Sequence, residues 1–322
     1  MLRIAYLFDI ENPSTFAGRT VADGFRNAWQ NRGDDCRFFD LGKISQGRRI
    51  QEQSRFNRFD PHLVFTSVEN IPFLPKQLNK DTKLVLWGQF YEPCDYEPQI
   101  HHILPPTKDL LRKLARVHDI LIWSQHDESI NDRFFSGYER ELGLKFIQLL
   151  HAADHTKYVA ASDSETKFDF MWIGNIGHRK ASYDAFVNPL KSLSNSYLSF
   201  HEYNRVDPHI IDFNQLFRKS LIIPNVHTPA QIRYQILLNE RVFTAAIQGG
   251  FQLCDNPLAR KYFSPEELVI AETPEEFSEK FLFFKQNPDK RLPYLKKIQT
   301  SILTRHTYCN RINEIMYALA MQ

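Results

Sequence analysis

The sequence of 322 residues has few cysteines, no long hydrophobic run and no strong excess of either charge. Its four cysteines form no CxxC pair, which argues against a disulfide framework and a zinc ribbon. Forty basic and 38 acidic residues give a net charge of +2, so no global field attracts nucleic acid or an anionic membrane. The start, MLRIAYLFDIENPS, is too briefly apolar for a spanning helix and lacks a signal-peptide cleavage pattern. We expect a cytoplasmic protein with reduced thiols, no integral membrane segment and no nucleic-acid partner.

A complete dinucleotide fingerprint, GxGxxG with a later acidic residue, is also missing, which argues against a nicotinamide or flavin enzyme. What is present is ordinary globular composition, with 43% hydrophobic and 24% charged residues. At this length the chain can form two domains of about 150 residues each.

Short runs rich in β-branched and aromatic residues recur through the first half of the chain. They are LRIAYLF, CRFFDL, HLVFTSV, KLVLWGQF, DILIWSQ and KFIQLL. Runs that are almost continuously apolar are typical of buried parallel strands. Amphipathic segments lie between several of them, such as residues 19–33, which Gly33 can end as a helix. This alternation predicts an α/β fold with a doubly wound sheet.

A second series of strands follows a small, polar segment that begins after Leu150. It comprises DFMWIGNI, YLSFHEY, SLIIPNV, FQLCD and LVIAE. Thr228, Ser264 and Thr273 each precede a proline and, two residues further on, a Glu or Gln, as helix N-termini with capping boxes do. We therefore predict two Rossmann-like domains, residues 1–155 and 156–306, facing a ligand-binding cleft, and a last helix, residues 307–322, packing across both.

The segment GNIGHRK, residues 174–180, directly follows the first strand of the second series. A glycine-containing turn between strand and helix lets the backbone approach a phosphate, and Arg179 and Lys180 can donate charge-assisted hydrogen bonds to it. The alternative is a surface turn with two solvated cations. Further along, Asn239 is a candidate N-cap for a helix that begins near Arg241, and the Gly249-Gly250 pair ends that helix whatever the protein does.

Several polar residues follow strands of the first series, where a doubly wound domain presents its ligand-binding edge. They are Asp9, Glu11, Glu69, Glu92, His126 and Asp127. We take Asp9, Glu11 and His126 as the candidate acid-base residues.

Two other groups of polar residues have structural explanations. His151, Asp154 and His155 have the spacing of metal ligands on a helix, but an interdomain contact is the better interpretation, and we predict no metal site. In the HTYCNR segment, residues 306–311, the His, Tyr and Arg side chains either bind phosphate or anchor the last helix, and we favour anchoring.

Four segments of the second half resemble, in order, the second domain of the GT-B glycosyltransferases of the CgeB-related branch. These are IIPNVH at 222–227, NERVFTAAIQGG at 239–250, PEELVIAETPEEF at 265–277 and HTYCNR at 306–311. The first half resembles that branch more loosely, through FDIENPS, DPHLVFTS, LWGQFYEP and LLHAADHTKY.

The resemblance implies a GT-B fold, a nucleotide-sugar donor bound by the second domain and an acceptor bound mainly by the first. The acceptor is unidentified and can be a glycan, a protein or a small molecule. Transfer without a metal is implied, and the nucleotide-sugar is a substrate, so no cofactor is expected. The implied donor-binding residues are Gly174, Asn175, Arg179, Lys180, Asn225, Asn239, Glu240, Arg241 and Thr244, with the three basic residues on the diphosphate.

Thr244 is a departure from this family, which has a glutamate there as the partner of the ribose hydroxyls. A threonine hydroxyl cannot replace a bidentate carboxylate, and Glu240 lies one helical turn earlier as a possible substitute. Two alternatives to a glycosyltransferase stay open: a nucleotide-sugar epimerase on the same fold, and a non-catalytic protein that binds a sugar or nucleotide.

Overall fold

A computed structural model describes residues 1–8, 16–40, 49–75, 78–88, 105–126, 135–162, 166–200, 213–235 and 237–321. The chain divides into two compact units. The first contains residues Met1–Ser14, Gly18–Leu150 and Arg311–Gln322, and the second contains residues Thr15–Ala17 and His151–Asn310. Within the described residues, each unit has one sheet.

The sheet of the first unit has six parallel strands. They are β1 (Arg3–Phe8), β2 (Asp35–Asp40), β3 (Leu63–Ser67), β4 (Lys83–Trp87), β5 (Ile120–Ser124) and β6 (Lys145–Gln148). Their order is β2-β1-β3-β4-β5-β6. β3 and β5 are buried along almost their whole length, as expected when helices cover both faces of a parallel sheet.

The sheet of the second unit has five parallel strands. They are β7 (Phe168–Ile173), β8 (Tyr197–Phe200), β9 (Ser220–Asn225), β10 (Gln252–Cys254) and β11 (Val269–Ile270). Their order is β11-β10-β9-β7-β8. From β7 the chain runs to β8 on one side and then to β9, β10 and β11 on the other. The topological switch point, where ligands bind in sheets of this kind, therefore lies at the carboxyl ends of β7 and β9.

Twelve α-helices are present in the described part of the chain. They are α1 (Phe16–Asn31), α2 (Arg49–Phe59), α3 (Pro105–Leu114), α4 (Ser136–Arg140), α5 (Lys180–Ser182), α6 (Leu190–Leu193), α7 (Phe213–Lys219), α8 (Pro229–Tyr234), α9 (Arg241–Ile247), α10 (Pro274–Gln286), α11 (Arg291–Arg305) and α12 (Tyr308–Ala318). A π-helical segment, Tyr183–Val187, separates α5 from α6. Across the described residues no helix is both long and apolar enough to span a membrane.

Aromatic packing holds α1 against the first sheet. Phe25 and Trp29 are buried and have their rings 5.6 and 5.9 Å from the ring of Phe65 in β3. The helix ends before Gly33, whose φ of +89° is a conformation that glycine adopts without strain. The amphipathic helix predicted for residues 19–33 and its glycine stop are thus confirmed.

Two hydrophobic clusters make most of the core of the second unit. One contains α9 and α11 side chains, among them Val242, Phe243, Ile247, Leu295, Ile298 and Ile302. The other joins Phe170 and Trp172 of β7 to Phe277, Phe281 and Phe284 of α10. Because β9 is buried at all six positions, its polar end at Asn225 is enclosed too.

Two of the three predicted helix starts are confirmed and one is wrong. Thr228 forms a complete capping box with Gln231 at the start of α8, and the Thr273 hydroxyl accepts from the Glu276 N–H at the start of α10. Ser264 begins only a turn, in which its N–H donates to the Glu267 carboxylate. The segment between the Pro257–Lys261 3-10 helix and β11 is described throughout and forms turns instead of a helix.

Candidate functional site

The ends of three neighbouring strands lie at the edge of the second sheet that contains the switch point. β7 ends at Ile173 and is followed by Gly174, β9 ends at Asn225, and β10 is followed by Asp255. Because the strands are parallel and adjacent, their carboxyl ends lie at the same edge. The segment before α9 also reaches this edge, since Asn239 contacts the end of β9.

Arg241 lies against the turn that follows β7. Its guanidinium carbon is 5.1 Å from the centre of the Trp172 ring, and Nη2 is 2.7 Å from the point where a Cβ would stand on Gly174. Only a glycine allows this approach. The predicted donor-binding residues Gly174 and Arg241, 67 positions apart in the sequence, are therefore brought together.

Arg179 approaches the same edge from the 3-10 helix Gly177–Arg179. Its Nη1 donates to the backbone carbonyl of Val226 at 3.4 Å. Burial lowers the pKa of Arg179, and the nearby Asp255 opposes that shift. An arginine keeps its charge in a protein even so, and the site therefore holds a partly desolvated cation.

His227 and Asp255 form a buried pair close to the two arginines. The Nδ1 of His227 lies 2.7 Å from Asp255 Oδ1, and the His227 backbone N–H donates to both carboxylate oxygens at 3.1 and 3.0 Å. The other ring nitrogen, Nε2, accepts from the Asn239 N–H at 3.0 Å. Burial lowers the pKa of His227, Asp255 opposes the shift, and Arg179 and Arg241 both add to it. Both arginines are therefore near enough to disfavour a positive charge on the His227 ring.

Amide side chains extend this pair into a network. Asn239 Nδ2 donates to the Val226 carbonyl at 3.1 Å and to Asn225 Oδ1 at 3.3 Å. Asn225 Nδ2 donates to Gln252 Oε1 at 2.9 Å, and Gln252 donates in turn to the carbonyl of Val242 in α9. Since buried polar groups are costly without partners, this network fixes the segment before α9 relative to β9 and β10.

Asn239 is not the N-cap of α9, contrary to the prediction. Glu240 occupies that position and makes no side-chain capping bond. The Asn239 side chain is taken by the network and also accepts from Gln231 at 3.3 Å. Packing of its apolar face, without a side-chain cap, holds the seven-residue α9 in place.

The Glu240 carboxyl is the most perturbed acid near the site. Its Oε1 is enclosed and accepts no hydrogen bond from the residues the structure describes. Burial raises the pKa of Glu240 to about 8, and Arg241 opposes the shift. Thr244, one turn later, uses its hydroxyl to donate to the Glu240 carbonyl at 3.3 Å, so this hydroxyl is already engaged within the helix.

The other two predicted donor-binding residues of the 174–180 segment, Asn175 and Lys180, are exposed. Asn175 is exposed and its Oδ1 accepts from the Gly177 N–H at 2.8 Å, which closes the turn. Lys180 is exposed and paired with Asp184 one helical turn later. The glycine pair after α9 behaves as predicted, since Gly249 has a φ of +85°.

Of the candidate acid-base residues, only His126 lies among the described residues. It follows β5, is buried, and its Nδ1 contacts the Ser124 hydroxyl while its ring packs 5.5 Å from that of Phe135. Asp9 and Glu11 fall outside the described residues, as do Glu92 and Asp127, which were also considered. Glu69 is exposed. The catalytic assignment stays a prediction.

The residues considered for a metal are engaged in other contacts. The segment of His151, Asp154 and His155 is not α-helical, and Asp154 accepts from the N–H and hydroxyl of Thr156. Within the described ranges, one cluster has metal-ligand chemistry: His227, Cys254 and Asp255. Both ring nitrogens of His227 are used in hydrogen bonds, so neither has a lone pair for a metal. These residues do not fit a metal ion.

The HTYCNR segment makes anchoring contacts. Thr307 forms an isolated parallel bridge with Ala153, and Arg311 donates to the Leu150 carbonyl at 2.9 Å. His306 and Tyr308 are buried. These contacts agree with the anchoring interpretation.

Sequence reasoning missed His227, Asp255 and Gln252. Two of them were nevertheless marked by a signal, because His227 directly follows the predicted strand SLIIPNV and Asp255 is the last residue of the predicted strand FQLCD. Their pairing follows from the adjacency of β9 and β10, which the sequence alone does not specify.

Solved structures resemble the whole chain at low sequence identity. An alpha-glucosyltransferase in complex with UDP and a 13-mer DNA containing a HMU base is 10% identical, with a TM-score of 0.63 and 99% of each chain covered. A spinosyn forosaminyltransferase is 11% identical, with a TM-score of 0.47 and 99% of each chain covered. A putative UDP-N-acetylglucosamine 2-epimerase from Listeria monocytogenes is 10% identical, with a TM-score of 0.49, and the match covers 99% of this chain and 95% of that one. No curated protein matches the sequence. The first similarity confirms the predicted α/β fold with two doubly wound sheets, of the GT-B type.

A family model described as glycosyl transferase-like matches residues 157–317, which is half of the chain. The matched segment contains the whole second sheet, the arginines and the His227-Asp255 pair, and all four motifs of the predicted resemblance. The prediction of a glycosyltransferase is confirmed at the level of the family. The chain belongs to the glycosyl transferase-like family.

Proposed function

We propose that the protein transfers a sugar from a nucleoside-diphosphate donor to a hydroxyl-bearing acceptor without a metal ion, and that it is a member of the CgeB-related branch. One observation carries the proposal. Arg179 and Arg241, from separate segments, both lie at the switch point of the second sheet, Arg179 on the Val226 carbonyl and Arg241 against Gly174. Two guanidinium groups at such an edge are suited to a diphosphate.

The chemistry explains why cations are needed at this position. Transfer breaks the bond between the sugar's anomeric carbon and the diphosphate oxygen, which leaves with the electron pair. The acceptor oxygen forms the new bond and its proton passes to a base. Negative charge therefore grows on the diphosphate, and guanidinium groups held in place before the reaction stabilise it. In this proposal Arg179 and Arg241 do what a metal ion does in other transferases.

Glu240 is the residue we propose for the donor's ribose hydroxyls. Thr244 stands where the related glutamate is expected, and its hydroxyl is bonded to the Glu240 carbonyl. The enclosed Oε1 of Glu240 has no hydrogen-bond partner among the described residues and is a single turn away. A hydroxyl of the donor can supply the missing bond. Gly174, Asn175, Lys180, Asn225 and Asn239 complete the proposed donor-binding set.

For the acceptor proton we propose Asp9, Glu11 or His126, all following strands of the first sheet. His126 is the one whose surroundings are described, and its contact with the Ser124 hydroxyl fixes the ring. Substituting each residue and measuring transfer separately from donor hydrolysis identifies the base.

Uridine diphosphate is the first donor nucleotide to test, because the similar solved glucosyltransferase is a complex with UDP. That structure also contains DNA, so oligonucleotides belong in the acceptor panel together with glycans, proteins and small molecules. A DNA product would contradict our expectation of no nucleic-acid partner. The cytoplasm is the proposed location.

Thermal unfolding in the presence of UDP, GDP, ADP and TDP tests the proposal. A nucleotide at one hundred times its dissociation constant adds about 2.7 kcal/mol to the free energy of unfolding. The matching nucleotide-sugar, incubated with and without EDTA, then tests turnover without metal. Absence of any shift contradicts a donor site. A shift without hydrolysis or transfer supports the alternative that Thr244 suggests, a non-catalytic binding protein, and conversion of the sugar without an acceptor supports an epimerase.

A further inference from the structure

The His227 imidazole has no step in the proposed mechanism, yet it is enclosed by polar groups of the site. The residue is fully buried, and both of its ring nitrogens lie within hydrogen-bond distance of a partner. The partner of Nε2 is the backbone N–H of Asn239, which can only donate. The Nε2 atom must therefore carry the lone pair, and the ring proton must be on Nδ1, where it is donated to Asp255.

The Asp255 carboxylate selects this arrangement. It accepts from the His227 ring and also from the His227 backbone N–H, and rotation of the imidazole would break the ring contact with Asp255 together with the Nε2 contact with Asn239. A second proton, on Nε2, would make this atom a donor that faces the Asn239 N–H, which is also a donor, and the hydrogen bond between them would be lost. The charged groups facing the ring are Asp255, Arg179 and Arg241, and both arginines disfavour a further positive charge.

The Asn239 N–H belongs to the segment that leads directly to Glu240 and Arg241. The Asn239 side chain is held by Asn225 and by the Val226 carbonyl, and its backbone N–H is held by the His227 ring. The imidazole thus joins the end of β9 to the donor-binding segment through one specific acceptor atom.

We propose that His227, as its Nδ1-protonated tautomer, is a positioning residue that fixes the Asn239–Arg241 segment for binding of the donor diphosphate. The identity of the ligand, a donor diphosphate, rests on the proposed function. The positioning role of His227 rests on the contacts of its ring alone. His227 takes no part in proton transfer, because neither ring nitrogen is available to a substrate.

Two substitutions separate the contacts of the ring. The amide of His227→Asn stands near the imidazole Nδ1, so it keeps a donor for Asp255 but removes the acceptor for Asn239. In His227→Gln the side-chain oxygen stands near Nε2 and keeps that acceptor, while the donor to Asp255 is lost. Ile298→Val, in the core of the same unit, serves as a control for general loss of stability.

Three measurements follow on the full chain. Long-range 1H-15N NMR of 15N-histidine-labelled protein should give the shifts of an Nδ1-protonated neutral imidazole for the resonance that disappears in His227→Asn. Hydrogen exchange of peptides spanning residues 237–242 should accelerate at least about tenfold in His227→Asn and less than about threefold in His227→Gln and Ile298→Val. The UDP dissociation constant should rise at least about tenfold in His227→Asn only.

An Nε2-protonated ring overturns the proposal, as does equal exchange in both His227 variants. If His227→Asn fails to fold, increased exchange of the segment in a folded His227→Gln overturns it, and unchanged exchange together with the expected tautomer supports it. If wild-type protein binds no UDP, the UDP-specific proposal fails, and the positioning role is decided by the tautomer and the exchange rates.

Discussion

The Arg241 guanidinium occupies the space that a side chain on Gly174 would need. Its Nη2 lies 2.7 Å from the ideal Cβ position, a distance that real Cβ atoms do not show. Gly174 therefore has a second role besides forming the turn after β7, because its lack of a side chain lets the Arg241 guanidinium reach the end of β7.

Replacing Gly174 by alanine should displace Arg241. We expect nucleotide affinity to fall about tenfold, or about 1.4 kcal/mol, because the guanidinium moves away from the diphosphate. Isothermal titration with UDP measures the change. Gly143→Ala is the matched control, since Gly143 also has a positive φ, +65°, but nothing within 4 Å of the added atom. Equal losses of affinity in the two variants would contradict a local role for Gly174.

Arg179→Ala and Arg241→Ala should each weaken nucleotide binding by about ten- to a hundredfold, since each removes a charge-assisted donor from a partly desolvated site. Lys180→Ala is the comparison. The Lys180 ammonium is 70% exposed and paired with Asp184, so we expect a loss below about threefold. Affinities for UDP at two salt concentrations provide the measurement. A larger effect from Lys180 than from either arginine would reverse the assignment.

Glu240→Gln should change how stability depends on pH. The pKa of Glu240 is raised by burial to about 8, so the folded state holds a proton that the unfolded state releases near pH 4.5. Wild-type stability therefore falls as pH rises from about 4.5 to 8, and this decrease is absent in the glutamine variant. When Tm is measured against pH, the Tm of the variant relative to that of wild type should increase over this range.

Glu276→Gln provides a control of opposite sign. A hydrogen bond with Lys280 lowers the pKa of Glu276, so its contribution is present above the unfolded pKa and lost as pH falls. Wild type should exceed this variant at neutral pH, and the gap should close in acid. A Glu240 profile of the same sign as that of Glu276 would disprove the buried, protonated state.

Thr244→Glu should restore the contact with ribose that the resemblance implies. We expect the variant to prefer UDP over 2′-deoxyUDP about tenfold more strongly than wild type does, because a carboxylate can accept from the ribose hydroxyls. Competition binding with the two nucleotides measures the preference. Thr244→Val, which keeps the shape and loses the hydroxyl, should leave the ratio unchanged, and an unchanged ratio in Thr244→Glu would rule out ribose recognition at this position.

The sheets could be predicted from sequence because strands such as β1, β3 and β5 are almost continuous apolar runs bounded by polar residues. The order of the strands in each sheet, and which strand ends lie next to each other, could not be predicted from the sequence. His227 and Asp255 are 28 positions apart, and only the parallel pairing of β9 with β10 brings them into contact. The Asn239 cap was wrong for a related reason, since the N-cap pattern is local and the side chain is taken by a distant partner. The helix start predicted at Ser264 was wrong because a capping pattern is local and does not show whether a helix follows it.

The network around His227 also sets a requirement on synthesis of the chain. Its members come from the ends of β9 and β10 and from the segment between them, so the network cannot close until Asp255 has left the ribosome. Before that point, a nascent chain ending after α9 would lack Asp255, the partner of the His227 ring N–H, and Gln252, the acceptor of the Asn225 amide. The sheet edge at β9 should therefore stay open until β10 pairs with it, so that the polar contacts of the site become complete only after β10 has been synthesised.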